Sequence, residues 1–234
     1  MDNYRLILDE QQAQREQAAF MSRVYAWMCL ALVITAGVAL YTASTPALFQ
    51  QIFGNKLIFY GLLIGELGLV GWLSLAVGRM SAQMATLVFL GYSALNGLTM
   101  SAIFLLYTAG SIASTFLITA GTFGAMSIYG YFTKKDLTSL GNLLFMALLG
   151  LIIASVVNIF WQNSTFYWIT TYAGVLIFTG LVAYDTQKIK NMNIIGNEGT
   201  EEDRKEAIMG ALALYLDFIN LFLYLLRLFG SRRD

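Results

Sequence analysis

The sequence has 234 residues, of which 58% are hydrophobic and 12% are charged, and its formal net charge is zero. Soluble domains usually carry about 25% charged residues, so this composition indicates an integral membrane protein. A chain without net positive charge lacks the basic surface that nucleic-acid binding requires, and we expect no nucleic acid as a partner.

Two residue types are scarce, and their scarcity limits the chemistry. The chain has no histidine and a single cysteine, Cys29. Catalysis by Ser–His or Cys–His pairs, zinc sites built from His or Cys, and a disulfide within one chain are therefore excluded. We expect that the protein is not an enzyme and has no cofactor. A response to pH near neutrality has to come from carboxyl groups, because the usual imidazole switch is missing.

The order of the segments predicts one membrane domain between short tails. Residues 1–22 are polar and predict a cytoplasmic tail, residues 23–230 a seven-helix transmembrane domain, and residues 231–234 a short C-terminal tail. Each apolar segment is long enough to cross a hydrocarbon layer of about 30 Å. The segments lie at residues 24–42, 57–77, 84–107, 112–132, 140–161, 166–185 and 207–228. The predicted fold class is an all-α integral membrane protein.

The distribution of Lys and Arg predicts the orientation. With a cytoplasmic N-terminus, the inner side carries Arg5, Arg15, Arg23, Arg79, Lys134, Lys135, Lys188, Lys190, Arg204 and Lys205. The loops of the other side keep only Lys56, which is a clear positive-inside bias. The exception is the C-terminal end, where Arg227, Arg232 and Arg233 lie outside if the last segment crosses fully. That segment either crosses the membrane fully, against the positive-inside rule, or enters the membrane and returns to the same side. Its length favours a full crossing.

Few charged residues lie within the apolar segments once the tails, the loops and the C-terminal arginines are set aside. Glu66 is in the middle of the second segment and Asp217 in the middle of the last. Arg79 and Asp185 are near the cytoplasmic ends of the second and sixth segments. A charge at the bilayer centre costs about 2.5–3.5 kcal/mol on insertion scales, so Glu66 and Asp217 are candidate functional residues. Depth in the membrane, counted at about 1.5 Å per residue from the segment ends, is similar for Glu66 and Asp217, and also for Arg79 and Asp185. Depth alone therefore pairs Glu66 with Asp217, and Arg79 with Asp185.

Each of these residues also has a purely structural interpretation. Arg79 and Asp185 could be interface residues whose charged ends reach water. Glu66 and Asp217 could be hydrogen-bonding residues that only hold helices together, although Ser, Thr and Asn are the usual choice for that role. Two facing carboxyl groups at low dielectric either share a proton or bind a hard cation. Asp185, Asp217 and Glu66 are therefore candidate ligands of calcium.

Other classes of membrane protein fit the residues less well. A rhodopsin-type Schiff base needs a lysine in the last helix, which has none. Asp185 and Asp217 could serve an intramembrane aspartyl protease, but the sequence around them lacks the glycine-rich motif of such proteases. Proton-coupled transport of a small solute is a further alternative, and the absence of a visible internal repeat weighs against it.

The two stretches that contain the aspartates resemble a known family. They read FTGLVAYDTQKI at residues 178–189 and ALYLDFINLFLYLLR at residues 213–227. The basic turn KKDLT at residues 134–138 and the Glu66 region of the second segment match as well. Together they resemble the transmembrane Bax-inhibitor-motif family, specifically its bacterial inner-membrane members. The resemblance covers essentially the whole membrane part of the chain.

The resemblance implies a last helix at the centre of a ring of six, and a pH sensor made of Asp185 and Asp217. Arg79 would latch this pair, and Glu66 would line the ion path. The implied activity is a pH-sensitive calcium leak, and the implied alternative is regulation of an AAA-type membrane protease without transport. The family pairs Asp217 with Asp185, whereas the depth count pairs it with Glu66. The two agree if the last helix begins in the cytoplasm, near Glu201 or Glu206.

Overall fold

The computed structural model describes residues 2–233, with side chains from Gln11 onward. The helices are α1 (Asp2–Ser44), α2 (Pro46–Phe53), α3 (Lys56–Ala76), α4 (Ala82–Met100), α5 (Ile103–Leu106), α6 (Ala109–Phe132), α7 (Thr138–Trp161), α8 (Ser164–Met192) and α9 (Glu201–Phe229). A 3-10 turn, Val77–Arg79, follows α3. No β-strand occurs in residues 2–233.

Seven helical spans are long and apolar enough to cross a membrane, which confirms the predicted fold class of an all-α integral membrane protein. The spans are Gln11–Ser44, Lys56–Arg79, Ala82–Leu106, Ala109–Phe132, Thr138–Trp161, Ser164–Met192 and Glu201–Phe229. The last of them is one helix of 29 residues, which corresponds to about 43 Å at 1.5 Å per residue. It has no break at which the chain could turn back, so the re-entrant alternative does not apply.

Three helix ends extend well beyond the apolar segments. α1 begins at Asp2 and runs without a break to Ser44, so the predicted tail continues directly into the first span. α8 ends at Met192 rather than at residue 185, and α9 begins at Glu201 rather than at residue 207. Hydrophobicity marks only the apolar part of a helix, and these three ends are polar turns. The cytoplasmic location of the N-terminal residues stays a prediction.

Hydrogen bonds at the start of α9 explain why it begins at Glu201. The Asp203 N–H donates to Thr200 Oγ1 at 3.2 Å, and the Gly199 N–H donates to Asp203 Oδ2 at 2.9 Å. The bond from Asp203 to Thr200 is half of a capping box, and the Thr-x-x-Asp spacing encodes it. Arg23 of α1 donates from Nη2 to both oxygens of the same carboxylate at 2.9 Å. Asp203 is 1% exposed, so its charge is paired where water cannot reach it.

The chain forms two compact units. Unit 1 comprises residues 2–102 and Ile189–Tyr215, and unit 2 comprises Ile103–Lys188 and residues 216–233. Burial differs widely between the helices. In the apolar 18-residue stretch of each span, 67% is buried in α9, but only 6% in the span of α3 and 6% in α7. The apolar surfaces of α3 and α7 therefore suit lipid, whereas α9 is covered by protein. The burial of α9 agrees with the central position that the family resemblance implies.

Unit 1 has a polar contact between three of its segments at Tyr215, which is fully buried on α9. The hydroxyl of Thr35 on α1 lies 2.7 Å from the Tyr215 hydroxyl and 2.9 Å from the carbonyl oxygen of Ser93 on α4. The Tyr215 ring meets the rings of Phe89 and Tyr92 edge to face, with centroids 5.9 Å apart in both pairs. Hydrogen bonding and ring packing thus fix the first half of α9 against α1 and α4.

Unit 2 has an apolar core contributed by α7, α8 and α9. The core residues are Leu151, Ile177, Phe178, Leu181, Leu221 and Leu225. α6 approaches α8 closely at Gly130, because a Cβ atom there would overlap the carbonyl group of Ala183. A small residue is therefore required at this crossing, as is common where membrane helices pack backbone to backbone.

We expect that Gly130→Ala lowers the stability of the protein, because the added methyl group would push α6 away from the α8 backbone. Overpacking of this kind costs about 1–3 kcal/mol. The measurement is the midpoint of thermal unfolding in detergent, followed by circular dichroism, and the midpoint should fall by several degrees.

The matched control is Gly121→Ala in the same helix, where a Cβ atom would meet nothing within 4 Å. Its midpoint should stay unchanged or rise, since Ala is favoured over Gly in a helix by about 1 kcal/mol. Equal losses in both variants would contradict the assignment of Gly130 as a contact residue.

Candidate functional site

The candidate site is a pair of aspartates in unit 2, one on α8 and one on α9. The side chains of Asp185 and Asp217 are hydrogen-bonded to each other. Asp217 is only 4% exposed, and Asp185 is partly buried. An ionised carboxylate can only accept hydrogen bonds, so a bond between two carboxyl groups requires that one of them carries a proton. The bond can persist only while one of the two carboxyl groups carries a proton, and it is lost if both groups ionise.

The surroundings of Asp217 are mostly apolar. Its Oδ2 atom is buried and, within the described part of the chain, has no hydrogen-bond partner. The next residue, Phe218, packs its ring against those of Phe116 and Phe123 of α6, with centroid distances of 5.3 and 5.5 Å. On the α8 side, Lys188 contributes a positive charge near Asp185. A full negative charge on both aspartates would have little solvation here, which makes the shared proton the favoured arrangement.

Two glycine contacts position the part of α8 that precedes Asp185. Gly130 of α6 lies against the Ala183 carbonyl, and Gly141 of α7 lies against the ring of Tyr184. Both contacts leave no room for a Cβ atom. The α8 backbone next to Asp185 is thereby held from two sides, which restricts where its carboxyl group can go.

A side chain just beyond Asp185 holds the basic turn between α6 and α7. Gln187 accepts a hydrogen bond from the Leu137 N–H at 2.9 Å and donates to the Lys135 carbonyl oxygen at 2.8 Å. Within the turn, the hydroxyl and the backbone N–H of Thr138 donate to the exposed carboxylate of Asp136, which lowers the pKa of Asp136. The turn that belongs to the family resemblance is thus joined to the helix that carries the first aspartate.

Glu66 occupies a separate polar position in unit 1. It lies on α3, is 9% exposed, and accepts a hydrogen bond from the hydroxyl of Thr99 on α4 at 2.8 Å. Thr99 also donates to the carbonyl oxygen of Asn96 within α4, at 3.0 Å. The sequence prediction of a buried carboxyl group in the second span agrees with this position, while its role in an ion path stays a prediction.

The structure brings Asp217 together with Asp185, which is the pairing implied by the family and not the one obtained from the depth count. The physical reason is the early start of α9 at Glu201, which places Asp217 about 24 Å along the helix instead of about 15 Å. Arg79 is exposed in the 3-10 turn after α3. Its proposed action as a latch joins residues of different units and stays a prediction.

The predicted calcium ligands do not form a recognisable metal centre. Within residues 11–233 no group of three or more His, Cys, Asp or Glu side chains could hold a metal ion. Calcium takes 6–8 oxygen ligands in proteins, and a pair of carboxyl groups that shares a proton supplies too few. Calcium binding by Asp185, Asp217 and Glu66 therefore stays a prediction.

Sequence reasoning missed several residues that support the site. Gln187 and the Arg23–Asp203 ion pair were not predicted, although Thr200 and Asp203 stand at the capping-box spacing that marks a helix start. That spacing would have moved the predicted start of the last helix to Glu201. The partners of Gln187 are about fifty residues away in the sequence, and no local pattern indicates them.

These features define a seven-helix membrane protein with a hydrogen-bonded aspartate pair inside the bundle of unit 2. Residues 17–234 match the family described as "Inhibitor of apoptosis-promoting Bax1". The chain belongs to this family, and the resemblance that its two aspartate-containing stretches carry is confirmed.

Curated relatives match over nearly their whole length. The chain is 54% identical over 215 residues to the "Inner membrane protein YbhL" of Escherichia coli K12, and the match covers 92% of both chains. It is 46% identical to an uncharacterised protein of Borreliella burgdorferi, covering 92% of this chain and 93% of the relative. It is also 46% identical to the uncharacterised protein RP147 of Rickettsia prowazekii, and this match covers 92% of this chain and 90% of the relative.

We expect that the stability of the protein falls as the pH rises, because alkaline conditions remove the proton shared by Asp185 and Asp217 and place two like charges side by side. Stability contributed by this proton is present at low pH and lost at higher pH. The measurement is the unfolding midpoint in detergent at a series of pH values, and the pair should titrate as one unit.

Asp217→Asn should remove most of this pH dependence, since the Asn amide donates to the Asp185 carboxylate at any pH. The control is Asp136→Asn in the exposed turn, which should keep the wild-type dependence because Asp136, with its lowered pKa, is ionised throughout the range. A wild-type slope in Asp217→Asn would contradict the shared proton.

Proposed function

We propose that the protein is a pH-sensitive leak channel for cations, with calcium as the transported ion, and that the Asp185–Asp217 pair is its gate. The observation that supports this most directly is the hydrogen bond between two carboxyl groups in the interior of a membrane-spanning helix pair. An ionisable group at such a depth is costly, so it is usually retained for function.

Gating follows from the proton of the pair. With one proton, the two carboxyl groups attract each other and hold α9 against α8. After full deprotonation, two negative charges repel each other in surroundings of low dielectric constant, where the repulsion is stronger than in water. α8 and α9 then separate at this level. Because α9 is the most buried of the seven spans, its displacement is the movement that opens a path.

The remaining candidate residues have roles along this path. Glu66 is a buried oxygen ligand on α3 that a hard cation can contact in passing. Arg79 is proposed to latch the closed state through its positive charge. Calcium is cargo in this proposal, in keeping with the absence of a cluster of three or more ligands in residues 11–233. No catalytic step and no cofactor take part.

The proposed location is the bacterial inner membrane, with a cytoplasmic N-terminus and seven crossings. The printed name of the Escherichia coli relative describes an inner membrane protein. The bias of Lys and Arg towards the loops on the N-terminal side supports the orientation. In this orientation Asp185 lies towards the cytoplasmic end of α8, so the gate responds to cytoplasmic pH.

We expect calcium entry into liposomes that contain the purified protein to be several-fold higher at about pH 8 than at about pH 6, because a rise in pH favours loss of the shared proton. Asp217→Asn and Asp185→Asn should each abolish the pH dependence. The measurement uses a calcium dye enclosed in the liposomes, with protein-free liposomes as the background.

Asp136→Asn is again the matched control, since it removes an exposed carboxylate outside the pair. Arg79→Gln should raise the flux at about pH 6, where the latch keeps the gate closed. Two results would contradict the proposal that the Asp185–Asp217 pair is the gate. One is a calcium flux that does not change with pH, and the other is a wild-type pH dependence of the flux in Asp217→Asn.

The alternative is a regulatory membrane protein that modulates an AAA-type membrane protease and transports nothing. The observation in its favour is that α1 extends ahead of the first apolar segment, beginning at Asp2. An ATP-driven protease that pulls its substrates could engage such an extension.

Deletion of residues 2–10 tests this alternative without disturbing the described contacts of the first helix. Glu16 accepts from the Gly196 N–H at 2.7 Å, and Gln17 donates to the Lys190 carbonyl oxygen at 3.1 Å, and both residues are retained. If the alternative holds, the deletion abolishes the change that the full chain causes in the turnover of a protease substrate. Calcium flux in liposomes should stay at the wild-type level. Loss of calcium flux with an unchanged effect on the turnover of the protease substrate would contradict the alternative.

A further inference from the structure

Unit 2 has a cavity at the C-terminal end of α9. It has a volume of about 630 Å³ and is lined by the end of α7, the beginning of α8 and the end of α9. Its polar lining includes Asn158 near the end of α7, Gln162 in the α7–α8 turn and Ser164 at the start of α8. Arg227 of α9 and Arg232 beyond it also line the cavity. The proposed channel function makes no use of this cavity.

The charge of the cavity is positive. Two arginines line it, and among the described residues no Asp or Glu does. In the ion pairs of residues 11–233 neither guanidinium group has a carboxylate partner. The Arg227 guanidinium lies 5.2 Å from the ring centroid of Tyr224 and 5.8 Å from that of Tyr167. Contacts with two aromatic rings hold this cation in place without neutralising it.

The segment that carries Arg232 is fixed by backbone hydrogen bonds. Residues Tyr107 and Arg232 form an isolated antiparallel bridge. The Thr108 N–H donates to the Ser231 carbonyl oxygen at 3.1 Å, and the Ser231 N–H donates to Ser111 Oγ at 2.8 Å. The chain after α9 is thus attached to the start of α6, so the second arginine is positioned before any ligand arrives.

The α7–α8 turn contains an unfavourable backbone conformation at the cavity. Gln162 has a φ of 46°, in the left-handed region, and no other residue in 2–233 except glycine has a positive φ. Gly or Asn is the usual residue at this position after a helix, and other side chains adopt it at some cost. A strained residue that lines a cavity indicates that its side chain has a function there.

We propose that this cavity binds the phosphate group of an anionic phospholipid. Arginine forks bind phosphate oxygens with two parallel hydrogen bonds, and the neighbouring side-chain amides can donate further ones. Trp161 and Trp168, which are 78% and 43% exposed, flank the α7–α8 turn. Exposed Trp of this kind is typical of the boundary between lipid and water. The location at this boundary favours a lipid headgroup over a dissolved phosphate ion.

The proposal also accounts for the exception to the positive-inside rule. Seven crossings place the C-terminal arginines on the side of the membrane that otherwise carries almost no positive charge. A ligand function for Arg227 and Arg232 explains why positive charge is kept there. This inference is independent of the channel function, and either of the two can fail alone.

The test is native mass spectrometry of the purified protein after equilibration with equal amounts of phosphatidylglycerol and phosphatidylcholine in detergent. We expect the wild type to retain phosphatidylglycerol about tenfold over phosphatidylcholine, since charge-assisted bonds to phosphate are strong and the choline cation is repelled by the arginines. Arg232→Gln should reduce this preference to about twofold or less.

Arg233→Gln is the matched control, because it removes the same charge from the same segment. The Arg233 guanidinium donates to the Phe104 carbonyl oxygen at 3.1 Å and does not line the cavity. Its preference should equal that of the wild type. Gln162→Gly is a second variant that should fold at least as well as the wild type, because Gly relieves the backbone strain, and it should lower the preference.

Three results would overturn the proposal. The first is an equal loss of the preference for phosphatidylglycerol in Arg232→Gln and Arg233→Gln, which would indicate that overall charge attracts the lipid. The second is a wild-type preference in both Arg232→Gln and Gln162→Gly. The third is displacement of phosphatidylglycerol by millimolar inorganic phosphate, which would make the cavity a site for a soluble anion instead of a lipid.

Discussion

The shared hydrogen bond between Asp185 and Asp217 is the interaction on which the arrangement of the second half of the chain depends. Two carboxyl groups cannot both be charged at this position without water or a cation between them. The protein therefore has to bring them close enough to share one proton. This requirement explains why α8 is held so closely, by Gly130 on one side and Gly141 on the other. A small displacement of α8 would break the bond.

The last helix combines anchored ends with an ionisable centre. Its first turn is attached to α1 through the buried ion pair of Asp203 and Arg23, and Tyr215 fixes its first half through Thr35. Beyond Phe229, the chain is attached to the start of α6 by backbone hydrogen bonds. Asp217 lies between these attachments, so a change in its charge acts on a helix that cannot move freely at either end. Such a helix responds by a local shift near the charge.

Much of this arrangement could be predicted from the sequence. Long apolar runs identified the seven spans, because a helix that crosses lipid must be apolar over about twenty residues. The same runs made Asp217 and Glu66 stand out, because charge is rare there. The apolar segments did not mark the ends of α8 and α9, because polar turns at a helix end carry no hydrophobic signal. The capping pattern at Thr200 and Asp203 was the local signal that could have corrected α9.

The sequence by itself determined the class of the protein, the number of its spans, the family and the two aspartates as candidate functional residues. These are properties of composition and local pattern, which lipid and the helix impose on each residue separately. Only the tertiary structure decided that Asp217 pairs with Asp185, that Gln187 binds the α6–α7 turn, and that Arg227 and Arg232 line one cavity. Such contacts depend on how far one helix is shifted along another. Packing between distant residues sets that shift, and a single turn of helix moves a side chain by about 5.4 Å.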